Sequence, residues 1–197
     1  MNSMSYGNDI ISQTYSEISS TANSNAAIEA AGSIFGMGIN LVLDVATIGT
    51  HYIPMVNKIR RLYGKAPWSL EEFATLLKAI KGEILFDFVF DKALGTIPLV
   101  GTYFNYICAK SMIFRVGMLC AMCSCLKNDV TDIETFTKTS ALIREVFPQK
   151  SVFKFATPDY NTFKKLMLSV MNNTVVDYET KLKRAMAAFD ACGETER

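Results

Sequence analysis

From Ala93 to Leu126 the chain carries no carboxylate and only two charges, Lys110 and Arg115, and this stretch opens on a Gly-Thr-Ile-Pro-Leu-Val-Gly element, Gly95 to Gly101. A run so long and so apolar has to be covered, by protein or by lipid. Pro98 is at home only in the first turn of a helix, and Gly95 and Gly101 permit a sharp backbone path and close approach by a neighbour. The stretch therefore reads as a buried hairpin corner followed by a core helix. A second element of the same kind runs from Ala26 to Asn57. There Gly32, Gly36 and Gly38 lead into an apolar segment whose interior charge is Asp44, and Pro54 interrupts it near its end. Together they predict two glycine-marked helical hairpins packed on each other, with Gly32, Gly36, Pro98 and Gly101 at the packing corners. A carboxylate within an apolar helix must be paired, hydrogen-bonded or protonated, so Asp44 is expected to meet Lys110 or Arg115 from the other hairpin.

At 197 residues the chain is long enough for one domain, burying roughly 70% of its unfolded surface. Half of the residues are hydrophobic and a fifth are charged, so apolar surface is in excess. The first 57 residues contain no Lys or Arg, and the remainder carries 20 basic against 15 acidic residues. That excess is too small to support a nucleic-acid partner. Five cysteines with a single histidine argue against a zinc site, and Cys120, Cys123 and Cys125 fall within an apolar helical pattern. They are expected to be buried or lipid-facing thiols in a reducing, intracellular compartment, with S-acylation as the alternative because the cluster ends at Lys127. Met1 to Asn25 is rich in Ser, Asn and Thr and lacks the basic start of a signal peptide. It reads as a mobile polar leader with a short helix around Ile10 to Ile18.

Helix signals follow in order. Ser24 or Asn25 can cap a first helix through Ala26, Ala27, Ala30, Ala31 and Ile34, and Gly32-x-x-x-Gly36 clears one face for a close neighbour. Tyr52 to Leu62 forms the next apolar piece, stopped by Gly64. Ser69-x-x-Glu72 is a capping box with Trp68 and Phe73 as its hydrophobic staple, opening a helix whose apolar face is Leu70, Phe73, Leu77, Ile80, Ile84 and Phe88. On that helix Glu83, Asp87 and Asp91 line up at i,i+4 spacing as a solvated or cation-paired face rather than a metal site. Thr131-x-x-Glu134 is a second capping box for a helix ending before Pro148, and Thr157-Pro158-Asp159 sets cap, proline and acidic first turn for a last helix with Phe163, Met167, Val170, Met171, Val175, Tyr178, Leu182, Ala185 and Phe189 inward. Strand alternation is absent, so the fold class is all-α: a helical bundle with a leader at 1–25, an apolar hairpin core at 26–128 and C-terminal helices at 129–197.

The chemistry is sparse. No phosphate loop, nucleophile elbow, dinucleotide fingerprint or His-Glu-x-x-His pair occurs, and His51 has no Ser or Cys partner set by spacing, so it reads as a helix-end or core histidine. Neither a catalytic residue nor a metal or other cofactor is predicted. The order Ile34-Phe35-Gly36-Met37-Gly38, Leu43-Asp44-Val45-Ala46, Tyr63-Gly64, Trp68-Ser69-Leu70 and Ile97-Pro98-Leu99-Val100-Gly101-Thr102 resembles the C-terminal helical domain of immunity-related GTPases and the related YcjF-type and EcsC-type helical proteins. The resemblance covers Ala30 to Leu126 and implies a membrane-associating helical module. It departs from those families at Phe35, where a proline is common, and after Asn128. The sequence holds none of the residues for GTP hydrolysis, so that activity is not carried over.

The expectation is a non-enzymatic helical module working on intracellular membranes, or on a protein partner or second copy of itself, through its apolar hairpins. The alternative is a small lipid- or ligand-binding protein, or enzyme, with an internal apolar pocket. Lys58, Arg60, Arg61 and Lys65 form a cation cluster directly after an apolar segment, the arrangement that engages anionic lipid. The same cations could instead pair with Glu71, Glu72 or the Glu83, Asp87, Asp91 row. Ala93 to Ala109 is uncharged and just long enough to be weighed as a membrane span, with Asp44, Lys110 and Arg115 opposing it.

Overall fold

A computed structural model of the protein describes residues 3–32, 48–79, 100–126, 132–146 and 157–171. Within them are six α-helices and one π-helical turn, and no strand, which makes the fold all-α as expected. In chain order the helices are α1 (Ser3–Gly32), α2 (Ile53–Leu62), α3 (Leu70–Ala79), α4 (Val100–Ser124), α5 (Ile133–Val146) and α6 (Tyr160–Met171), with the π turn at Ile48–Tyr52 leading into α2. Asp44, Gly36, Pro98, the Glu83, Asp87, Asp91 row and the positions from Val175 onward lie outside the described residues.

The first correction concerns the leader. Residues 3–25 are the body of a 30-residue helix. Ile10, Thr14, Ile18 and Ala22 recur every fourth residue, are buried together with Ile11, and make one stripe along a helix that is otherwise Ser- and Asn-rich. Thr14 passes as a core residue because its hydroxyl donates to its own backbone, at Ile10 O (2.8 Å), leaving only the methyl to be packed. Ser24 does not cap a new helix. It lies inside α1, its hydroxyl donating back to Ser20 O (3.0 Å) and Thr21 O (3.2 Å).

The core is built around the α1–α4 pair, the most extensive helix contact among those described. Tyr15 meets Phe114 (ring centroids 6.0 Å apart) and Ile18 meets Gly117, so the register advances together and the two helices run in the same sense. Against α1, Thr14 lies beside Tyr63 and Glu17 beside Lys58, an opposite progression that makes α2 antiparallel to it. Likewise Tyr15 packs on Tyr160 and Phe163 while Gly7 faces Met171, so α6 is antiparallel as well. Helix α4 is enclosed by these neighbours and α5. From Ser111 to Ser124 every residue except Arg115 is buried, as expected of a core helix.

Three helices begin in the same way. Ser69, Asp132 and Asp159 each accept the first helical bond through their carbonyl, from Phe73, Phe136 and Phe163 respectively, and all three phenylalanines are buried. At α3 the expected capping box is complete: Ser69 N–H donates to Glu72 Oε2 (2.7 Å) and Glu72 N–H to Ser69 Oγ (3.1 Å). Trp68 and Phe73 close the staple as stacked rings 5.7 Å apart and 15° from parallel. The other two caps fall later than the sequence suggested. At α5 the first helical bond is accepted by Asp132, with Thr131 outside the described residues, and at α6 Asp159 Oδ1 accepts the Thr162 N–H (2.8 Å), which makes Pro158 the residue before the cap instead of the first helical one. In α3, Leu70 lies at the open end of the apolar face, 37% exposed, with its side chain toward Gly49. In α6, Leu166 joins Phe163, Met167 and Val170 in the core.

Helix α2 is bounded by backbone chemistry. The proline ring of Pro54 would press on the carbonyl four residues before it, and the wider π turn at Ile48–Tyr52 relieves that crowding. His51 sits in this turn, at a helix end as anticipated. At the other end Gly64 takes φ +68°, and the bonds Gly64 N–H to Arg61 O (3.0 Å) and Lys65 N–H to Arg60 O (2.9 Å) form a Schellman stop.

Among the described residues a close-approach glycine is Gly117; of the expected corners, Gly36 and Pro98 lie outside the described residues, Gly32 ends α1 and Gly101 lies in the first turn of α4. A Cβ on Gly117 would stand 2.6 Å from Ile18 Cγ1 and 3.0 Å from its Cδ1, and Ile18 has no accessible surface into which to retreat. Gly117→Ala is therefore expected to lower stability by about 1–3 kcal/mol in urea denaturation through overpacking, against the roughly 1 kcal/mol that alanine gains by helix propensity. Combining it with Ile18→Ala should give a loss smaller than the sum of the two single changes.

Candidate functional site

The four-cation cluster is divided by the fold. Arg60 is 1% exposed and points inward, with its guanidinium carbon 3.9 Å from the centroid of the Trp68 ring and its Nε–H donating to Ala66 O (2.6 Å). It is removed from the list of lipid contacts, because an inward cation stacked under an indole cannot reach a headgroup. Beside it Asn57 brackets the same indole residue through the backbone, its Nδ2 donating to Trp68 O and its Oδ1 accepting the Trp68 N–H, both at 2.8 Å. Arg60 and Asn57 thus bind the 65–68 connector onto α2 and set where α3 begins.

Lys58 and Arg61 remain toward solvent, three residues apart on α2. Lys58 is ion-paired with Glu17 of α1, a partner that spacing along the chain could not reveal. Arg61 is exposed, with its Nε–H on Asn57 O (3.1 Å), and Lys65 is half-buried just past the helix stop. Among the buried-pair candidates, Lys110 and Arg115 are both half-buried on α4.

Two of the three clustered cysteines are buried thiols, the first of the two readings the sequence offered. Cys120 and Cys123 are buried in the core, Cys120 with its thiol toward Val56 O (3.6 Å) and Ser124, Cys123 facing Thr139. Burial pushes the Cys123 thiol well above its ordinary range, reinforced by Cys120, which holds the Cys123 thiol protonated. Cys125 is half-buried, its thiol on Met122 O (3.1 Å), and is the only member of the trio that approaches the surface. Near it Tyr63 lies with its hydroxyl 3.5 Å from Thr14 Oγ1, and burial raises this phenol far above its usual value.

Elsewhere the shifted groups are structural. The Glu72 carboxyl is held below its usual range by the Ser69 amide, and Asp159 by the Thr162 amide. An open groove of about 430 Å³ is lined by Ser12, Tyr15, Ser16, Ser19, Ser20 and Tyr160. Its Tyr15 is already engaged, with its hydroxyl donating to Pro158 O (3.1 Å) and its pKa raised by burial and by the nearby Asp159. Among the described residues no group of His, Cys, Asp and Glu is arranged to hold a metal, and no helix is long and apolar enough to cross a membrane. No protein-family model, curated protein or solved structure matches the chain.

Two predictions follow from these placements. Arg60→Lys removes both the planar stack and the Nε bond, and is expected to cost about 2–4 kcal/mol, whereas the exposed Arg61→Lys should stay within about 0.5 kcal/mol; denaturant titration of the two variants separates them. The second concerns pH. Cys123 and Tyr63 are held protonated in the folded chain, while the unfolded chain releases those protons near pH 9.0 and 10.0. Their contribution to stability is whole below pH 9 and is lost as pH rises, so Tm should fall between pH 9 and 11, and Tyr63→Phe should flatten the decline above pH 10.

Proposed function

We propose that the protein is a non-enzymatic helical module that associates with anionic intracellular membranes through the outer face of α2. The observation that carries this reading is the division of the cation cluster: Arg60 anchors the helix from inside while Lys58 and Arg61 are exposed on α2 and Lys65 follows, half-buried, just past its end. The anchoring makes α2 a rigid platform, and each cation near an anionic surface contributes about 1 kcal/mol. The family resemblance, which extends over α2, points the same way. A second support is how the polar interior is used. Thr14, Ser124, Asn57 and Arg60 satisfy backbone groups, and the shifted carboxylates Glu72 and Asp159 satisfy helix starts, so these groups hold structure. The competing reading, an enclosed apolar pocket for a lipid or other ligand, is less favoured, because the groove beside α1 is open and lined by hydroxyls.

The test is co-sedimentation with phosphatidylserine-containing vesicles. Changing Lys58, Arg61 and Lys65 together to Gln should weaken binding by about a hundredfold and leave the helical circular dichroism unchanged. Wild-type binding that ignores both salt and the triple substitution would exclude this face as the contact. A protein partner or self-association would then be the reading to pursue.

A further inference from the structure

The Glu17–Lys58 pair joins two surfaces that an anionic membrane treats in opposite ways. Helix α1 carries Asp9, Glu17 and Glu29 and no Lys or Arg, so a negative surface repels it. The outer face of α2 is attracted to the same surface. Glu17 reaches across this divide from an inner position, its side chain 17% exposed, to a Lys58 side chain that is 62% exposed. Glu17 is thus lodged in the seam between the antiparallel helices, close to the Thr14–Tyr63 contact, while the ammonium it holds still faces solvent.

We infer that Glu17 is an intramolecular competitor for Lys58, masking part of the cationic face until an anionic lipid headgroup takes the ammonium over. The inference rests on the membrane reading above and adds the regulation of that face. An ion pair with so exposed a member is weak, and a phosphate-bearing headgroup offers the same ammonium a comparable attraction, so the exchange is close to balanced and easily driven. Once Lys58 turns to lipid, α1 loses its charged tie to α2 and keeps its apolar packing on α4, where Ile18 meets Gly117. The contact between α1 and α2 therefore loosens as binding proceeds, without α1 having to leave the core.

Glu17→Gln is the decisive variant, because the amide matches the carboxylate in size and removes only the charge. It should bind phosphatidylserine vesicles about fivefold more tightly than the wild type, the worth of one uncovered cation near the surface, and should not gain affinity for phosphatidylcholine vesicles. Adding Lys58→Gln to it should abolish the gain. In the wild type, amide hydrogen exchange around Glu17 should accelerate on addition of phosphatidylserine vesicles. Wild-type binding with no gain in Glu17→Gln, or a gain that survives Lys58→Gln, overturns the competition while leaving membrane association standing. Absence of wild-type binding to either vesicle overturns the membrane reading and this inference together.

Discussion

The guanidinium of Arg60 is the point on which three helices depend. A buried cation is tolerated only where its desolvation is offset, and here the offset comes from the Trp68 face and the Ala66 carbonyl. Because both partners lie in the short connector after α2, satisfying Arg60 fixes the path of that connector. Trp68 then stacks on Phe73 at the start of α3 and meets Phe136 edge-on (6.0 Å) at the start of α5. The Arg60 carbonyl also accepts the Lys65 amide that completes the Schellman stop. One side chain and its own backbone thus end α2, position α3 and orient α5.

The other half of the bundle is held by shape. Parallel helices cannot be joined by a short turn, so α1 and α4 have no local reason to meet and must find each other through long-range fit. Ile18 entering the space left by Gly117 supplies that fit, and the Tyr15 cluster with Phe114, Tyr160 and Phe163 extends it to α6. The two halves meet along α2, which lies on both α1 and α4.

What could be read from the sequence was whatever acts over a few residues. The capping box and staple at Ser69–Phe73, the Gly64 stop and the apolar body of α4 all follow from local chemistry, and the structure contains each of them. The caps at Asp132 and Asp159 fall one or two residues later because Thr131 and Thr157 are also cap formers by type, and the stronger cap, Asp, takes the first carbonyl bond. Helix α1 was obscured by composition: three isoleucines in a Ser- and Asn-rich stretch make a weak signal, and Thr14 hides its polarity only once the helix exists. Gly117 was overlooked for a related reason, since a lone glycine inside an apolar helix shows no partner until Ile18 is placed against it. The signal this stretch does carry is the four-residue recurrence of Ile10, Thr14, Ile18 and Ala22, which forms one stripe along a helix.

The cation cluster shows why linear proximity misleads about function. Arg60 and Arg61 are adjacent and chemically identical, yet a 100° step around α2 places one under an indole and the other in water. Which arginine turns inward is set by the apolar face made by Met55, Val56 and Ile59, whose side the residue at 60 shares and the residue at 61 does not. The same rotation leaves Lys58 beside α1, where Glu17 meets it. A stretch of sequence that looks like one uniform basic patch is therefore four things in the folded chain: an internal anchor in Arg60, a solvent-facing cation in Arg61, a cation shared with another helix in Lys58 and a half-buried one past the helix stop in Lys65. The shared one joins the charge of the surface to the packing of the core, since any group that draws Lys58 outward acts at the same time on α1.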